Sequence, residues 1–120
     1  MSTYLVNHLR IPGVPQEENL AYLEQVEATT ALYGGKWLAI GGEVQVLEGA
    51  WPGSVVLIEF PDMETAQAWY NSPEYQKIIH LRTDRTINDL VLVDGVSSDF
   101  TAAGYAQQLR ATIAAAECGS

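Results

Sequence analysis

Two glycine pairs constrain the fold of this chain more than any other feature. They lie at positions 34–35 and 41–42 and bracket the apolar segment 36–40, and a second apolar run follows at 55–60. Glycine adopts backbone angles that residues with a Cβ avoid, so the first pair is typical of a helix end and the second of a bulge or bend within a strand. Neither pair has the spacing of a dinucleotide or phosphate loop. The pattern predicts a helix followed by a sheet and names no reaction.

Strand and helix signals follow one another in a definite order along the rest of the chain. Apolar periodicity predicts strands over residues 4–9, 36–48, 55–60 and 87–93, the second of them interrupted at its glycine pair. Proline or capping side chains predict helices that start near Pro15, Asp62 and Ser72. The resulting order, βαββαβ, predicts a ferredoxin-like α+β sandwich with a four-stranded antiparallel sheet. The stripe expected to bind the first helix to that sheet consists of Leu20, Leu23, Val26, Thr30 and Tyr33.

The last two strands are apolar on both faces. Val55 and Leu57 alternate with other apolar residues of the third strand, and Leu90 and Leu92 do the same in the fourth. A sheet with one wet face alternates apolar and polar residues, so the second face is expected to be buried against another copy of the chain. The sequence therefore predicts a homodimer.

Composition excludes several classes of function. The chain has 120 residues, which suits one core, and a net charge of −9, which disfavours nucleic-acid binding. No apolar run is long enough to cross a bilayer, and the first residues lack the pattern of a secretion signal, so a cytoplasmic protein is expected. The single cysteine, Cys118, and two separated histidines indicate neither a disulfide nor a metal site.

Several short motifs in a fixed order resemble one known family. They are Tyr33-Gly34-Gly35, Leu38-Ala39-Ile40-Gly41-Gly42, Leu47-Glu48-Gly49, Ile58-Glu59-Phe60-Pro61, and the stretch from Ala68 to Tyr75 followed by Leu81-Arg82. Together they resemble the family called domain of unknown function 1330. The resemblance implies a dimeric α/β barrel domain over residues 1–96. It also implies relatives such as muconolactone isomerases, cofactor-free quinone-forming monooxygenases and haem-degrading enzymes, with ligands held between sheet and helices. The family often has a basic residue where this chain has Ile40.

Arg82 is the first candidate catalytic residue. Helical spacing places it on the same face as Tyr75 and Ile79, toward the sheet, and a buried arginine needs an anion or several carbonyl groups as partners. The alternatives are a structural ion pair with Glu48 or Glu59 and a guanidinium that reaches past the core to water. His8 is the second candidate, because its ordinary pKa suits a general base. Its position in the alternation places it with Tyr4 on the opposite, dimer-facing side, where a packing role is the alternative.

Large aromatic residues are numerous for so small a domain. Those expected to bind substrate are Tyr33, Trp37, Trp69, Tyr70 and Tyr75. They could line a cavity for a planar organic ligand, or they could fill the core and the interface.

The residues beyond 96 form a separate extension, 97–120, which is predicted to be helical over 101–116. Tyr105, Leu109 and Ile113 recur at intervals of four and need a surface to cover. Two placements of this helix fit the pattern: over the mouth of the pocket as a lid, or across the dimer interface. The interface is favoured, because the burial of three large side chains suits a permanent contact.

The combined pattern predicts a homodimeric, cofactor-independent enzyme acting on a small aromatic or unsaturated acid or ketone. Arg82 would hold an oxygen of the substrate, a tyrosine or His8 would move a proton, and the tryptophans would exclude water. The alternatives are a non-catalytic protein that binds a metabolite in the same pocket and a structural dimer without a pocket. An open cavity in which Arg82 and tyrosine hydroxyls converge separates the first two hypotheses from the third.

Overall fold

The computed structural model describes residues 1–119, and Ser120, the last residue of the predicted extension, lies outside them. The elements are the strands β1 (Thr3–Arg10), β2 (Lys36–Ala39), β3 (Ser54–Phe60) and β4 (Ile87–Asp94), and the helices α1 (Glu17–Ala31), α2 (Met63–Tyr70), α3 (Pro73–Gln76), α4 (Ile79–Thr83) and α5 (Ala102–Cys118). The four strands form an antiparallel sheet in the order β2-β3-β1-β4. This arrangement confirms the ferredoxin-like α+β fold that the sequence predicts.

Capping groups act where the sequence places them. The Asp62 side chain accepts a hydrogen bond from the backbone N–H of Thr65 at 2.7 Å and starts α2. The Ser72 hydroxyl accepts one from the backbone N–H of Tyr75 at 3.2 Å and starts α3, with Pro73 at its first position. Gly34 has a φ of 72°, which a side chain would resist, and it follows α1. These signals fix the turns that bring α3 and α4 over the sheet.

The core lies between one face of the sheet and the helices. Alternate residues of the central strands face it, and the exposed fractions of Leu5, Ile58 and Phe60 are 3%, 2% and 0%. Trp69 from α2 and Tyr75 from α3 cover them, each with 1% exposed. The same alternation leaves Asn7 on this buried face.

Two details of the predicted fold are wrong. The second strand ends at Ala39 and does not resume after the glycine pair, because its register with β3 shifts between Trp37 and Ala39 and Gly41 then leaves the extended conformation, with a φ of 68°. The stripe of α1 is also rotated. Leu20 and Leu23 are about half exposed, whereas Asn19 and Thr29 are buried beside Val26. Val26 and Thr30 of the predicted stripe are therefore buried, but Asn19 and Thr29 join them in place of the two leucines.

The opposite face of the sheet and the last helix are open in the single chain. Val91 and Val93 on β4 are 56% and 49% exposed. Helix α5 forms as predicted, with the Thr101 hydroxyl accepting from the backbone N–H of Gly104 at 3.0 Å, but it has no buried residue. The domain therefore does not cover the apolar stripe of α5, which consists of Tyr105, Leu109 and Ile113. No helix in residues 1–119 combines the length and apolar character needed to cross a membrane.

Candidate functional site

A cavity of about 230 Å³ lies between the sheet and the helices. Its wall is largely apolar, and its polar side chains come from β1, α1, β3, α3, α4 and the start of β4. The lining residues are Leu5, Asn7, Leu9, Ile11, Asn19, Tyr22, Leu23, Trp37, Ile40, Gly41, Ser54, Val56, Ile58, Trp69, Tyr75, Arg82, Thr86 and Leu90. Leu23 and Ile40 are about half exposed and mark the mouth. The cavity has the lining typical of a small-molecule site.

Arg82 of α4 is the cation of this cavity. Its residue is 8% exposed, and its Nε–H donates to the Tyr75 hydroxyl at 3.1 Å. Among residues 1–119 no carboxylate forms an ion pair with it, so the predicted structural alternative, a pair with Glu48 or Glu59, does not occur. A buried guanidinium without a counter-charge is unusual, because buried charges are almost always paired. The arrangement leaves room for an anion.

Two tyrosines connect Arg82 to α1. The Tyr22 and Tyr75 hydroxyls are 2.9 Å apart, and the Arg82 guanidinium carbon lies 6.0 Å from the centre of the Tyr22 ring. The two hydroxyls carry two protons, and their mutual hydrogen bond uses one of them. The second proton has no acceptor among the hydrogen bonds of residues 1–119. The pair can therefore donate one O–H to a ligand beside the guanidinium.

Electrostatics fix the protonation states of this group. Burial raises the pKa of Tyr22 well above its ordinary value, and the neighbouring Tyr75 adds to the rise. Burial lowers the pKa of Arg82, but the nearby Tyr75 and Tyr22 oxygens outweigh it, and the pKa lies above its ordinary value. Arg82 is therefore a permanent cation and Tyr22 a neutral phenol at physiological pH. Such a pair can bind and stabilise an oxyanion, whereas a neutral phenol such as Tyr22 is a poor base.

The two predicted tryptophans of the site present flat apolar surfaces. Trp37 donates its Nε1–H to the Thr30 hydroxyl at 3.0 Å, and Trp69 donates its own to the Thr29 hydroxyl at 3.0 Å. Because both N–H groups are already bonded, the rings contribute only apolar contact to the cavity. These threonines lie on α1, which explains why its buried stripe is polar.

The other predicted site residues lie elsewhere. Tyr33 and Tyr70 are partly buried against the core and do not line the cavity. The Tyr70 ring centre is 5.6 Å from that of Tyr75, so Tyr70 supports the site from behind. The structure thus brings Arg82, Tyr75, Trp37 and Trp69 together and leaves out the remaining two aromatics.

His8 lies on the opposite face of the sheet, as the strand alternation predicts. Its ring stacks on Trp51 with 4.2 Å between ring centres, and its Nδ1 is 3.4 Å from an Arg10 nitrogen and 3.9 Å from Asp89. Its Nε2 is buried without a hydrogen-bond partner among residues 1–119. His8 therefore does not meet Arg82 in the cavity of one chain.

Sequence reasoning missed two cavity residues. Tyr22 follows Asn19 at helical spacing, and Asn7 lies between Leu5 and Leu9 on an otherwise apolar strand face. A polar or aromatic side chain repeated on a buried stripe was the available signal. Within the described chain, the cavity wall has no carboxylate, histidine or cysteine, and no cluster of residues that could hold a metal ion occurs among residues 1–119.

The sequence profile described as "Domain of unknown function (DUF1330)" matches residues 2–96. The chain belongs to this family. This match confirms the family that the glycine pairs and the later motifs indicated. In this DUF1330 chain the position where the family often has a basic residue is Ile40, at the cavity mouth. Among residues 1–119, Arg82 is the only lysine or arginine that lines this cavity.

Solved structures share the fold. A protein of unknown function, RPA0582 from Rhodopseudomonas palustris, is 17% identical with a TM-score of 0.61, over 80% of this chain and 83% of that one. SnoaB, a cofactor-independent oxygenase from Streptomyces nogalater, is 13% identical with a TM-score of 0.56, over 83% and 98%. A dimeric ferredoxin-like protein from Jannaschia sp. CCS1 is 12% identical with a TM-score of 0.53, over 76% and 98%. No curated protein matches the sequence. At these identities the similarity establishes the fold and no activity.

Proposed function

We propose that this chain is a homodimeric small-molecule enzyme that works without a cofactor on a small aromatic or unsaturated acid or ketone bound in the cavity. One observation carries the proposal: Arg82 is buried in an apolar cavity, has no carboxylate partner among residues 1–119, and lies beside a tyrosine pair with a spare O–H. The missing counter-charge would be an oxygen of the ligand.

The chemistry follows from the same groups. The guanidinium and the tyrosine O–H would bind the ligand oxygen and stabilise negative charge as it develops during the reaction. Trp37 and Trp69 would hold the apolar body of the ligand and exclude water. Because no base lines the cavity in the described chain, the proton acceptor would be a group of the substrate itself or of a second subunit. The shared fold with an oxygenase described as cofactor-independent agrees with this proposal.

The dimer and the cellular location belong to the same proposal. Apolar side chains on the outer sheet face, Val91 and Val93 among them, are about half exposed in one chain and would be buried by the same face of a second copy. A fold relative from Jannaschia sp. CCS1 is described as dimeric. We place the protein in the cytoplasm. A single cysteine cannot form an intrachain disulfide, and such disulfides are typical of proteins in oxidising compartments.

A non-catalytic binding protein is the second candidate. It is favoured by the same cavity wall, which contains no carboxylate, histidine or cysteine among residues 1–119 and so offers a ligand a place to bind without an obvious catalytic base. In that case the pocket would sequester or sense the same class of acid.

Titration calorimetry with benzoate, phenylacetate and cinnamate tests the binding step. We expect at least one acid to bind, and Arg82→Gln to weaken it by roughly 10- to 100-fold, because a charge-assisted hydrogen bond is lost. The control is Arg85→Gln, since Arg85 is exposed and lies 3.8 Å from Glu18. An unchanged affinity in Arg82→Gln would contradict the proposed site. Incubating a bound acid with the protein in air, followed by mass spectrometry, then separates the enzyme from the binder.

A further inference from the structure

A chain of hydrogen bonds runs along the cavity from Asn7 to the backbone of α4. The Asn7 Nδ2 donates to the Asn88 Oδ1 at 2.9 Å, and the Asn88 Nδ2 donates to the Thr86 hydroxyl at 2.8 Å. The Thr86 hydroxyl donates to the backbone carbonyl of Arg82. Asn7 and Thr86 both line the cavity. These hydrogen bonds therefore connect the cavity wall to the backbone of Arg82, the cationic residue.

The direction of this chain is fixed at one end. A backbone carbonyl only accepts, so the Thr86 proton must point to the carbonyl of Arg82. Thr86 then has only lone pairs to offer, and the group of Asn88 that faces it must be the NH₂. The Asn88 oxygen is left for Asn7, and the group of Asn7 that faces it must again be an NH₂. The orientation of both amides, which is often ambiguous, follows here from the bonding pattern.

The oxygen of Asn7 is left without a partner. Asn7 is 3% exposed, and its Oδ1 is buried with no hydrogen bond among residues 1–119. A buried amide oxygen that has lost its water and gained no donor lowers the stability of the fold. Because the chain of bonds holds the NH₂ toward β4, the amide cannot turn to offer a donor instead. The residues of the cavity wall therefore include an acceptor without a donor as well as a cation without a carboxylate partner among residues 1–119.

We propose that Asn7 makes this site selective for hydroxy acids, that is, for ligands that carry a hydroxyl group in addition to the anionic oxygen bound by Arg82. The inference rests on the proposed function, since it assumes that the acid occupies this cavity. A cavity of roughly 150 Å³ holds benzene, so 230 Å³ accommodates one aromatic ring with a carboxylate and a hydroxyl. The hydroxyl proton would fill the vacant acceptor, and an acid without it would leave the acceptor unpaired.

The first test uses the unaltered protein and ligands that differ by one group. Phenylacetate is compared by calorimetry with mandelate, 3-hydroxyphenylacetate and 4-hydroxyphenylacetate. We expect at least one hydroxylated acid to bind about 3- to 10-fold more tightly than phenylacetate, the gain of one buried hydrogen bond. The methyl ether of that acid keeps the oxygen but lacks the proton and should lose the gain. Equal or weaker binding of all three hydroxylated acids would overturn the inference, as would a methyl ether that binds as well as its parent.

The second test removes the acceptor. Asn7→Leu replaces the amide by an apolar group of similar size, and we expect the ratio of the two affinities, for the hydroxylated acid and for phenylacetate, to fall to about one. Asn71→Leu is the matched control, because Asn71 is exposed at the end of α2 and lies outside the cavity. A preference that survives in Asn7→Leu would overturn the inference. If Asn7→Leu does not fold, the methyl ether comparison decides alone.

The two proposals fail in different ways. If none of the acids binds, or if Arg82→Gln binds them as well as the unaltered protein, the proposed function is wrong. The inferred selectivity for hydroxy acids is then wrong as well. If phenylacetate binds through Arg82 and a hydroxyl adds nothing, a water molecule or nothing at all satisfies Asn7. In that case only the selectivity for hydroxy acids is wrong.

Discussion

Two arginines on opposite faces of the same sheet have opposite surroundings. Arg10 lies on the outer face, where its side chain is 28% exposed and its guanidinium is 2.5 Å from the Asp89 carboxylate. Arg82 lies over the inner face, is 8% exposed and has tyrosine hydroxyls for neighbours in place of a carboxylate. Water can screen the charge of Arg10, whereas the Arg82 guanidinium is shielded from solvent and pairs with no carboxylate of residues 1–119. The more deeply buried cation is thus the one without a carboxylate partner among residues 1–119, as expected if the proposed ligand supplies the counter-charge.

Apolar residues of the two faces show the same contrast. Leu5 and Ile58 on the inner face are almost fully buried by helices, whereas Val91 and Val93 on the outer face are about half exposed. Strands β3 and β4 supply apolar residues to both faces, but no element of residues 1–119 buries Val91 and Val93 on the outer one. The proposed function assigns a ligand to the inner face and a second copy of the chain to the outer face.

The largest effect is expected from a charge on the outer face. Val91→Glu would bury two uncompensated carboxylates in a homodimer, and we expect it to weaken dimerisation by more than about 1000-fold. Light scattering at micromolar concentration should give about twice 13.1 kDa for the unaltered chain and 13.1 kDa for Val91→Glu. Val14→Glu is the control, because Val14 is 70% exposed in a loop. If the unaltered chain is monomeric, the apolar outer face is not a dimer interface.

Removing residues 98–120 should have the next largest effect. Tyr105, Leu109 and Ile113 are about half exposed on α5, so a partner subunit that covers them would gain about 2 to 4 kcal/mol of dimer stability. We expect the truncated chain to dimerise more weakly, as measured by dilution, while the melting temperature of the dissociated monomer stays the same. A change confined to ligand association rates would favour a lid over the pocket mouth. No change in either quantity would exclude both placements.

Exchanging each arginine for methionine sharpens the comparison of the two cations. Arg82→Met removes an unpaired buried charge, so the free energy of unfolding of the ligand-free protein should stay the same or rise by up to about 2 kcal/mol. Arg10→Met removes a partly exposed ion pair and should lower that free energy by at most about 1 kcal/mol. Chemical denaturation of both variants measures the difference. A large loss of stability in Arg82→Met would show that Arg82 has a structural partner.

The sequence contained most of the fold and only part of the site. Strand order and helix starts followed from local signals such as the Asp62 cap and the Ser72-Pro73 pair, which act within a few residues. The extent of β2 did not, because a glycine pair fits a bulge that continues a strand as well as a turn that ends it, and Gly41 adopts the turn, with a φ of 68°. Arg82 was found because it breaks an apolar helix face. Tyr22 and Asn7 were missed, since their role depends on a rotated α1 and on a hydrogen-bond chain between β1 and β4.

The smallest predicted effect is a change in the pH dependence of stability. Burial, with the help of Tyr75, raises the pKa of Tyr22 above its unfolded value of about 10. The stabilisation from holding Tyr22 neutral is complete below pH 10 and is lost as the pH rises further, because the unfolded chain ionises first. Between pH 10 and 11 the unaltered protein should therefore lose about 1 kcal/mol more than Tyr22→Phe. Tyr105→Phe, on the exposed α5, should follow the unaltered protein. Denaturation curves at both pH values measure the free energy of unfolding of each variant. If Tyr22→Phe and the unaltered chain lose the same free energy between pH 10 and 11, water reaches Tyr22. The inner face would then be less well shielded from solvent than its comparison with the outer face assumes.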